Sequence, residues 1–314
     1  MKGTKRNAPE PTVSIDKLTL TANLRKEEYA VWENRYAHDF VPAKVAKTRW
    51  GFDLYEKGYR LPDGTHVSLE KTVGNYHQIR VQFNPNREPI EDSDPTDITV
   101  PLLSCLEEVG ISQIDIAVDY LGVRMHEYEF LRGRTMRTTI STGYGYTESI
   151  FLGSTRSKLQ TLIYAKEHQK KKLNERILTL DGEMLIPKPE EPWLRLEASM
   201  KGASVLREDA FGKLMIFRRG SFKPPKGMSK EMVERLTLVS QYPPALDYPT
   251  VHQNTRDDWR SKLFDGVEMI EPHPQKVYEE HLPLIKEYLS EFYLSPVGND
   301  GLSQQAKRIL GVKT

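Results

Sequence analysis

Apolar and polar side chains alternate along most of the first two thirds of the chain, which is the pattern of strands with one buried face. Tyr76–Phe83, with the sequence YHQIRVQF, is the most regular example, and the turn residues that follow it end the strand. The same alternation predicts further strands at Val13–Leu24, Trp50–Tyr55, Ile114–Tyr120, Arg137–Ser141, Ser149–Gly153, Leu159–Lys166 and Trp193–Met200.

Apolar residues spaced three and four apart predict helices between these strands and after them. In the first part of the chain the helices are Lys26–Phe40, Pro101–Val109 and a basic helix from Glu167 to Asn174. After Phe222 helical patterns dominate, and Pro283 is expected to break one of them. The predicted C-terminal helices are Ser229–Gln241 (with Ser229 as the N-cap), Thr255–Phe264, Gln275–Tyr293 and Ser303–Leu310.

This order of elements predicts an α+β fold, with a central, largely antiparallel sheet, flanking helices and a helical C-terminal part. Residues 1–11 are basic and contain proline, so we expect a disordered tail. The sheet core is expected to span residues 12–222, and the helical part residues 223–314.

Composition limits the classes of protein to which the chain can belong. Its 314 residues carry a net charge of only +1, so any surface for nucleic acid must come from local basic patches. The single cysteine, Cys105, excludes an internal disulfide framework and a zinc site with several cysteines. With no apolar run near 20 residues and no secretory leader pattern, a cytoplasmic protein that does not cross a membrane is expected.

The strand KLQTLIYAK sets a tyrosine among polar groups, because alternation puts Gln160, Tyr164 and Lys166 on one face. A phenol beside a cation suits nucleophilic attack on a phosphodiester. The alternative is a cross-strand tyrosine whose hydroxyl merely has a hydrogen-bond partner.

Carboxylates occupy the polar faces of two other predicted strands. Asp115 and Asp119 share one face, and Arg195 and Glu197 share another. If these strands are neighbours, their oxygens suit Mg²⁺ or Mn²⁺. Because Asp115 and Asp119 are ~13 Å apart along a strand, we expect Asp115 and Glu197 as ligands and Asp119 as a further ligand or an orienting group. The alternative is a solvated face with cross-strand ion pairs.

Basic residues cluster in two segments. The first lies within residues 168–176 and the second within residues 213–230. The usual explanation for such clusters is a solvated charged surface. The second segment runs from Lys213 to Lys230, contains no acidic residue and has Phe217 and Phe222 between its cations, which favours a nucleic-acid surface. The residues predicted to bind DNA are Arg80, Lys170, Lys171, Lys172, Lys213, Arg218, Arg219, Lys223 and Lys226.

Several segments, taken in order, resemble the Rep_trans family of rolling-circle replication initiators, the type found on small staphylococcal plasmids, which has relaxase relatives on conjugative elements. The segments that carry the resemblance are Ser14–Leu20, Ile79–Asn86, Ile114–Asp119, Phe151–Gly153, Leu162–Glu167 and Trp193–Glu197. These segments cover roughly residues 13–200. Relatives have a glutamate at the position of Gln82, whose neutral amide holds a divalent cation less well than a carboxylate.

The resemblance implies a metal-dependent endonuclease and ligase that nicks one strand at a double-strand origin and rejoins it at termination. Tyr164 would form a 5′-phosphotyrosine, with Lys166 or Arg195 neutralising the phosphate. The implied metal residues are Asp115, Asp119 and Glu197. The implied partners are origin DNA (hairpin, single-stranded nick site and flanking duplex), a second subunit in a homodimer and a host helicase. Residues 12–222 would be the nickase domain, and residues 223–314 would carry origin specificity.

Two other hypotheses fit the same residues. One is a non-catalytic, sequence-specific DNA-binding protein in which the tyrosine and the carboxylates are structural. The other is a metal nuclease that uses water as the nucleophile, with Tyr164 as a stacking platform. A covalent protein–DNA adduct is expected only for the tyrosine nickase.

Overall fold

The computed structural model describes most of the predicted core. The described residues are 10–36, 41–43, 57–61, 65–85, 99–132, 137–141, 147–167, 177–178, 184–185, 191–202, 205–241 and 252–293. Their helices are α1 (Lys26–Tyr36), α2 (Thr99–Ser104), α3 (Lys230–Gln241), α4 (Gln253–Phe264) and α5 (Pro274–Tyr293). Their strands are β1 (Thr12–Arg25), β2 (Val41–Pro42), β3 (Lys57–Arg60), β4 (His66–Val73), β5 (Tyr76–Phe83), β6 (Glu107–Leu121), β7 (Tyr128–Arg132), β8 (Arg137–Ser141), β9 (Thr147–Leu152), β10 (Leu159–Ala165), β11 (Ile177–Leu178), β12 (Met184–Leu185), β13 (Trp193–Lys201) and β14 (Leu214–Arg218).

Ten of these strands form one sheet in the order β2-β3-β4-β5-β1-β6-β13-β10-β9-β8, and every neighbouring pair is antiparallel. Two small sheets pair β11 with β12 and β14 with β7. The predicted α+β fold with an antiparallel central sheet is therefore confirmed. None of the helices in the described residues has the length and apolar character needed to cross a bilayer.

Two helices cover the apolar face of this sheet. The aromatic side chains of α1 pack on β1, β4 and β5, where Tyr29 and Trp32 are buried. Helix α5 packs on β1 and β6, and its Tyr278 and Ile285 belong to the main core. Helix α5 lies beyond residue 222, in the part expected to be helical, and it contributes side chains to the core of the sheet.

Several elements differ from their predicted form. Helix α2 ends at Ser104, because the following residues enter β6 at Glu107 and pair with β1. Helix α5 continues through Pro283, which is exposed, so the carbonyl that it leaves unpaired can bind water. Seven strands were not predicted, namely β2, β3, β4, β7, β11, β12 and β14, and β14 occupies part of the basic segment. The predicted strand Trp50–Tyr55 and the predicted helices 167–174 and 303–310 lie outside the described residues, apart from Glu167.

Candidate active site

Strand register aligns the predicted chemical groups on the second face of the sheet, here called the polar face. Tyr164 of β10 lies opposite Arg195 of β13, and Arg195 lies opposite Asp119 of β6. Glu197 lies opposite Ala117 in the next row, and Asp115 opposite Ser199 in the row after that. Directly opposite residues point to the same face of a sheet, so the sequence places these side chains on one surface correctly. Strand β1 separates β6 from β5, so Arg80 lies on this face at a distance from Tyr164.

An irregularity in β1 adds a carboxylate that the sequence analysis did not assign. Ile15 pairs with Ile116 and Lys17 with Asp115, which leaves Asp16 as an extra residue between the two pairs. A bulge of this kind turns the extra side chain away from strict alternation. The Asp16 carboxylate consequently reaches Arg195, with Oδ1 2.8 Å from Nη1.

The phenol of Tyr164 donates a hydrogen bond to Glu197, with 2.5 Å between Oη and Oε1. Only 5% of Tyr164 is exposed. Burial and the Glu197 charge raise the pKa of Tyr164 well above its usual range. Burial and the Asp16 charge raise the pKa of Glu197 to about 7, against the opposing charges of Arg195 and Lys166. The pair therefore joins a phenol that holds its proton to a carboxylate that titrates near neutral pH.

Arg195 is the organising cation of the site. Its side chain is fully buried, and it binds both oxygens of Asp119 through Nε (2.7 Å) and Nη2 (2.9 Å). Its Nη1 lies 3.8 Å from Glu197 Oε1 in addition to its contact with Asp16. Burial acts to lower the pKa of Arg195, and the charges of Asp119 and Asp16 more than offset it. The predicted direct role of Arg195 on phosphate does not match this geometry, because all three guanidinium nitrogens are bound to carboxylates.

Trp193 and Lys166 complete the cluster. The indole N–H of Trp193 donates to Asp119 Oδ1 at 2.5 Å, and its ring centroid lies 5.5 Å from Lys166 Nζ and 5.5 Å from Arg195 Cζ. Lys166 keeps 4% of its surface exposed. Sequence reasoning assigned no role to Trp193, although it begins the strand that carries Arg195.

The predicted metal ligands do not assemble as a set. Both oxygens of Asp119 are bound by Arg195, and one also accepts from Trp193, so Asp119 fits the orienting role and not that of a ligand. Asp115 lies opposite Ser199, one row beyond Glu197, accepts from Gln113 at 2.9 Å and has Lys17 at 3.6 Å. Within the described ranges no group of three or more His, Cys, Asp or Glu side chains is arranged to hold a metal ion.

A smaller donor set does fit a hard cation. Asp16 and Glu197 approach the same nitrogen of Arg195, and each uses only one carboxylate oxygen in its hydrogen bonds to described residues. Mg²⁺ is commonly held by one or two carboxylates together with substrate phosphate and water. Asp16 and Glu197 are accordingly the carboxylates beside Tyr164 with oxygens left for such an ion.

The basic segment at 213–230 contains no acidic residue, but acidic residues from other parts of the chain lie close to its arginines. Arg219 pairs with buried Glu129 at 2.8 Å, and Arg218 lies 3.5 Å from Glu127 and 3.8 Å from Glu268. The remaining predicted cations, Lys213, Lys223 and Lys226, are exposed. Lys170, Lys171 and Lys172 lie outside the described residues.

Comparison with protein-family models and with curated proteins finds no match. Among solved structures, the chain is similar to the "Structure of Rolling Circle Replication Initiator Protein from Geobacillus stearothermophilus". The two share 13% sequence identity with a TM-score of 0.39, over 82% of this chain and 96% of the other. A likeness of this size assigns no activity, so the functional argument depends on the residues of the site.

Proposed function

We propose that the chain is a rolling-circle replication initiator that nicks and rejoins one DNA strand through Tyr164, as the sequence resemblance implies. The observation that carries the proposal is the Tyr164–Glu197 hydrogen bond of 2.5 Å within a cluster of buried charges. A carboxylate whose pKa is raised to about 7 is matched to accept a proton near neutral pH. A structural tyrosine needs only a hydrogen-bond partner, not one that titrates there.

In the proposed reaction the phenol oxygen of Tyr164 forms a bond to phosphorus, and the bond from phosphorus to the 3′ oxygen breaks. The phenol proton passes to Glu197 and from there, through water, to the leaving 3′ oxygen, which becomes a hydroxyl. The products are a 5′-phosphotyrosine and a free 3′ end, and the reverse reaction rejoins a strand without ATP because the phosphodiester energy is conserved. Arg195, fixed by Asp119, holds Asp16 and Glu197 in place throughout.

A bound metal ion is a separate proposal. Asp16 and Glu197 would hold Mg²⁺ or Mn²⁺ beside Tyr164, where it would neutralise charge on the phosphate and favour ionisation of the phenol. Lys166 would add positive charge close by, since its charge already acts on Glu197. Arg195 would contribute indirectly, by setting the positions of the two carboxylates.

Origin DNA, with its nick site exposed as single strand, is the proposed substrate. Exposed Lys223 and Lys226 would bind the phosphates of flanking duplex, with Lys213 nearby in sequence. Residues 223–314 would contribute origin specificity, and a host helicase would unwind the nicked duplex; both belong to the proposal.

A second candidate is a metal nuclease that uses water as its nucleophile. The observation that favours it is the burial of Tyr164, which raises the pKa of the phenol and keeps it protonated. Incubation with Mn²⁺ and single-stranded oligonucleotides that tile the DNA around the gene, followed by denaturing electrophoresis, separates the hypotheses. The nickase predicts cleavage with a covalent adduct, the nuclease predicts cleavage without one, and a DNA-binding protein predicts neither.

A further inference from the structure

Three apolar side chains lie on the polar face of the sheet and partly in solvent. Phe151 of β9 lies opposite Leu162 of β10, and Leu162 lies opposite Glu197, so both share the face that carries Tyr164. Ile140 of β8 lies in the same row as Tyr164 and keeps 46% of its surface in solvent. Phe151 and Leu162 are also partly exposed. None of the three belongs to a hydrophobic cluster of the described residues, so packing of that core does not explain them.

Cations lie at the end of this face where β9 turns into β10. Alternation along β10 continues from Leu162 through Gln160 to Lys158, which is exposed, as is Arg156 within the turn. Residues 149–166 contain no aspartate or glutamate. Neither Arg156 nor Lys158 has an acidic partner within 4 Å among the described residues. The positive charge of the turn is therefore available to an anion from outside the chain.

Contacts within the sheet hold this turn in one shape. The ammonium of Lys201 donates to the carbonyl of Thr155 at 2.9 Å, and the amide of Gln160 donates to the carbonyl of Gly153 at 3.1 Å. Gly153 has a φ of 100°, and a Cβ there would lie 3.0 Å from the carbonyl oxygen of Leu159, so the turn closes tightly on β10. The turn cations consequently keep a fixed position relative to the polar face.

We propose that Phe151, Leu162 and the two turn cations bind a single DNA strand that leads away from Tyr164. A solvent-facing aromatic ring can stack on an unpaired base, whereas a duplex keeps its base faces covered, and cations beside the ring bind the phosphates. Phe151 is one strand and two residues from Tyr164, roughly 8 Å, and Lys158 is six residues along β10, roughly 20 Å. The track therefore contacts nucleotides next to the nick and several beyond it. This assignment rests on the proposed function, which makes the bound strand the nicked one.

Fluorescence anisotropy with labelled oligo-dT and with a duplex of equal length tests the stacking contact. Every variant is made in the Tyr164→Phe background and measured with a chelator, so that no strand is cut. Phe151→Ala should weaken single-strand binding about five-fold or more, because one stacked base is lost, and should change duplex binding by less than about two-fold. Phe151→Trp should retain the affinity, because its ring still stacks. Val31→Ala, which truncates an exposed apolar side chain of α1, is the matched control and should change neither affinity.

The double variant Arg156→Ala with Lys158→Ala tests the phosphate contacts. It should lower the slope of log K against log salt for oligo-dT by up to about 0.7 for each contact that is lost. Unchanged single-strand affinity of folded Phe151→Ala, an equal loss for single strand and duplex, or weakened binding by Phe151→Trp would overturn the proposal. So would an unchanged salt slope in the double variant. None of these readouts involves DNA cleavage, so a failure of the nickase hypothesis is distinguishable from a failure of the track.

Discussion

The charges around Tyr164 and the charges of the segment Lys213–Lys230 lie in opposite environments. Around Tyr164 they are buried and paired, and Arg195 alone contacts three carboxylates. In the basic segment every lysine and arginine is exposed, and only its two arginines have acidic partners within 4 Å among the described residues. The stability of a buried charge cluster depends on precise geometry, because each charge loses its hydration and contacts with its partners must offset that cost.

An exposed cation depends much less on geometry, because water and salt screen it. Changes in the buried cluster should alter stability and chemistry, and changes in the basic segment should alter the salt dependence of DNA binding.

The largest effect is expected from Asp119→Ala, which leaves Arg195 buried without its bidentate partner. We expect a loss of about 3–5 kcal/mol in the free energy of unfolding, measured by chemical denaturation. Asp115→Ala is the matched control, because Asp115 pairs with a partly exposed Lys17 at 3.6 Å and should cost only about 1 kcal/mol. Equal losses in the two variants would remove the distinction between the two acids.

Glu197 should make stability fall as pH rises. Its pKa in the folded protein is raised from an ordinary value near 4.5 to about 7, so the folded state binds the proton more tightly than the unfolded state. Stability from this group is therefore present below about pH 4.5 and lost as pH approaches 7, by roughly 3 kcal/mol at most.

Denaturation of wild type and Glu197→Gln across this pH window, with a chelator present, measures that loss as the difference between the two curves. Adding Mn²⁺ should reduce the difference, because a bound cation favours the ionised carboxylate. Parallel curves for the two proteins would show that Glu197 titrates normally.

The smallest effect is expected in the basic segment. The double variant Lys223→Ala with Lys226→Ala should lower the slope of log K against log salt by up to about 0.9 for each phosphate that the variant no longer neutralises. Arg218→Ala with Arg219→Ala should lower it less, because these arginines already pair with Glu127, Glu129 and Glu268. Fluorescence anisotropy with a labelled duplex at several salt concentrations measures both slopes, and a larger change for the arginine pair would contradict this assignment.

The sequence predicted the polar face because alternation along β6, β10 and β13 is unbroken. It also contained a pattern that indicates the irregularity at Asp16 or Lys17. The apolar positions of β1 change from odd numbers, Val13 and Ile15, to even numbers, Leu18 and Leu20, and this change of parity requires an extra residue at 16 or 17. Alternation left Asp119 as a further metal ligand or an orienting group, because it did not indicate that Arg195 on the neighbouring strand would bind both oxygens.

Other features depend on contacts between distant parts of the chain. Helix α5 was predicted within two residues of its ends, but not its place in the core of the sheet, since amphipathic spacing does not specify which surface the helix covers. The acidic partners of Arg218 and Arg219 are likewise remote in sequence. Ser229 is a counterexample, because its hydroxyl accepts a hydrogen bond from Met232 N at 3.3 Å and caps α3 as predicted from local sequence.

The most direct test of the nickase account is mass-spectrometric mapping of the protein–DNA adduct after reaction with single-stranded substrate and Mn²⁺. The account predicts one modified peptide, with a 5′-phosphate linked to Tyr164, and no adduct in Tyr164→Phe, which loses only the phenol oxygen. DNA affinity of that variant should stay within a few-fold of wild type. Cleavage by folded wild type without any adduct, or an adduct that persists in Tyr164→Phe and maps to Tyr144 or Tyr146, would contradict the account.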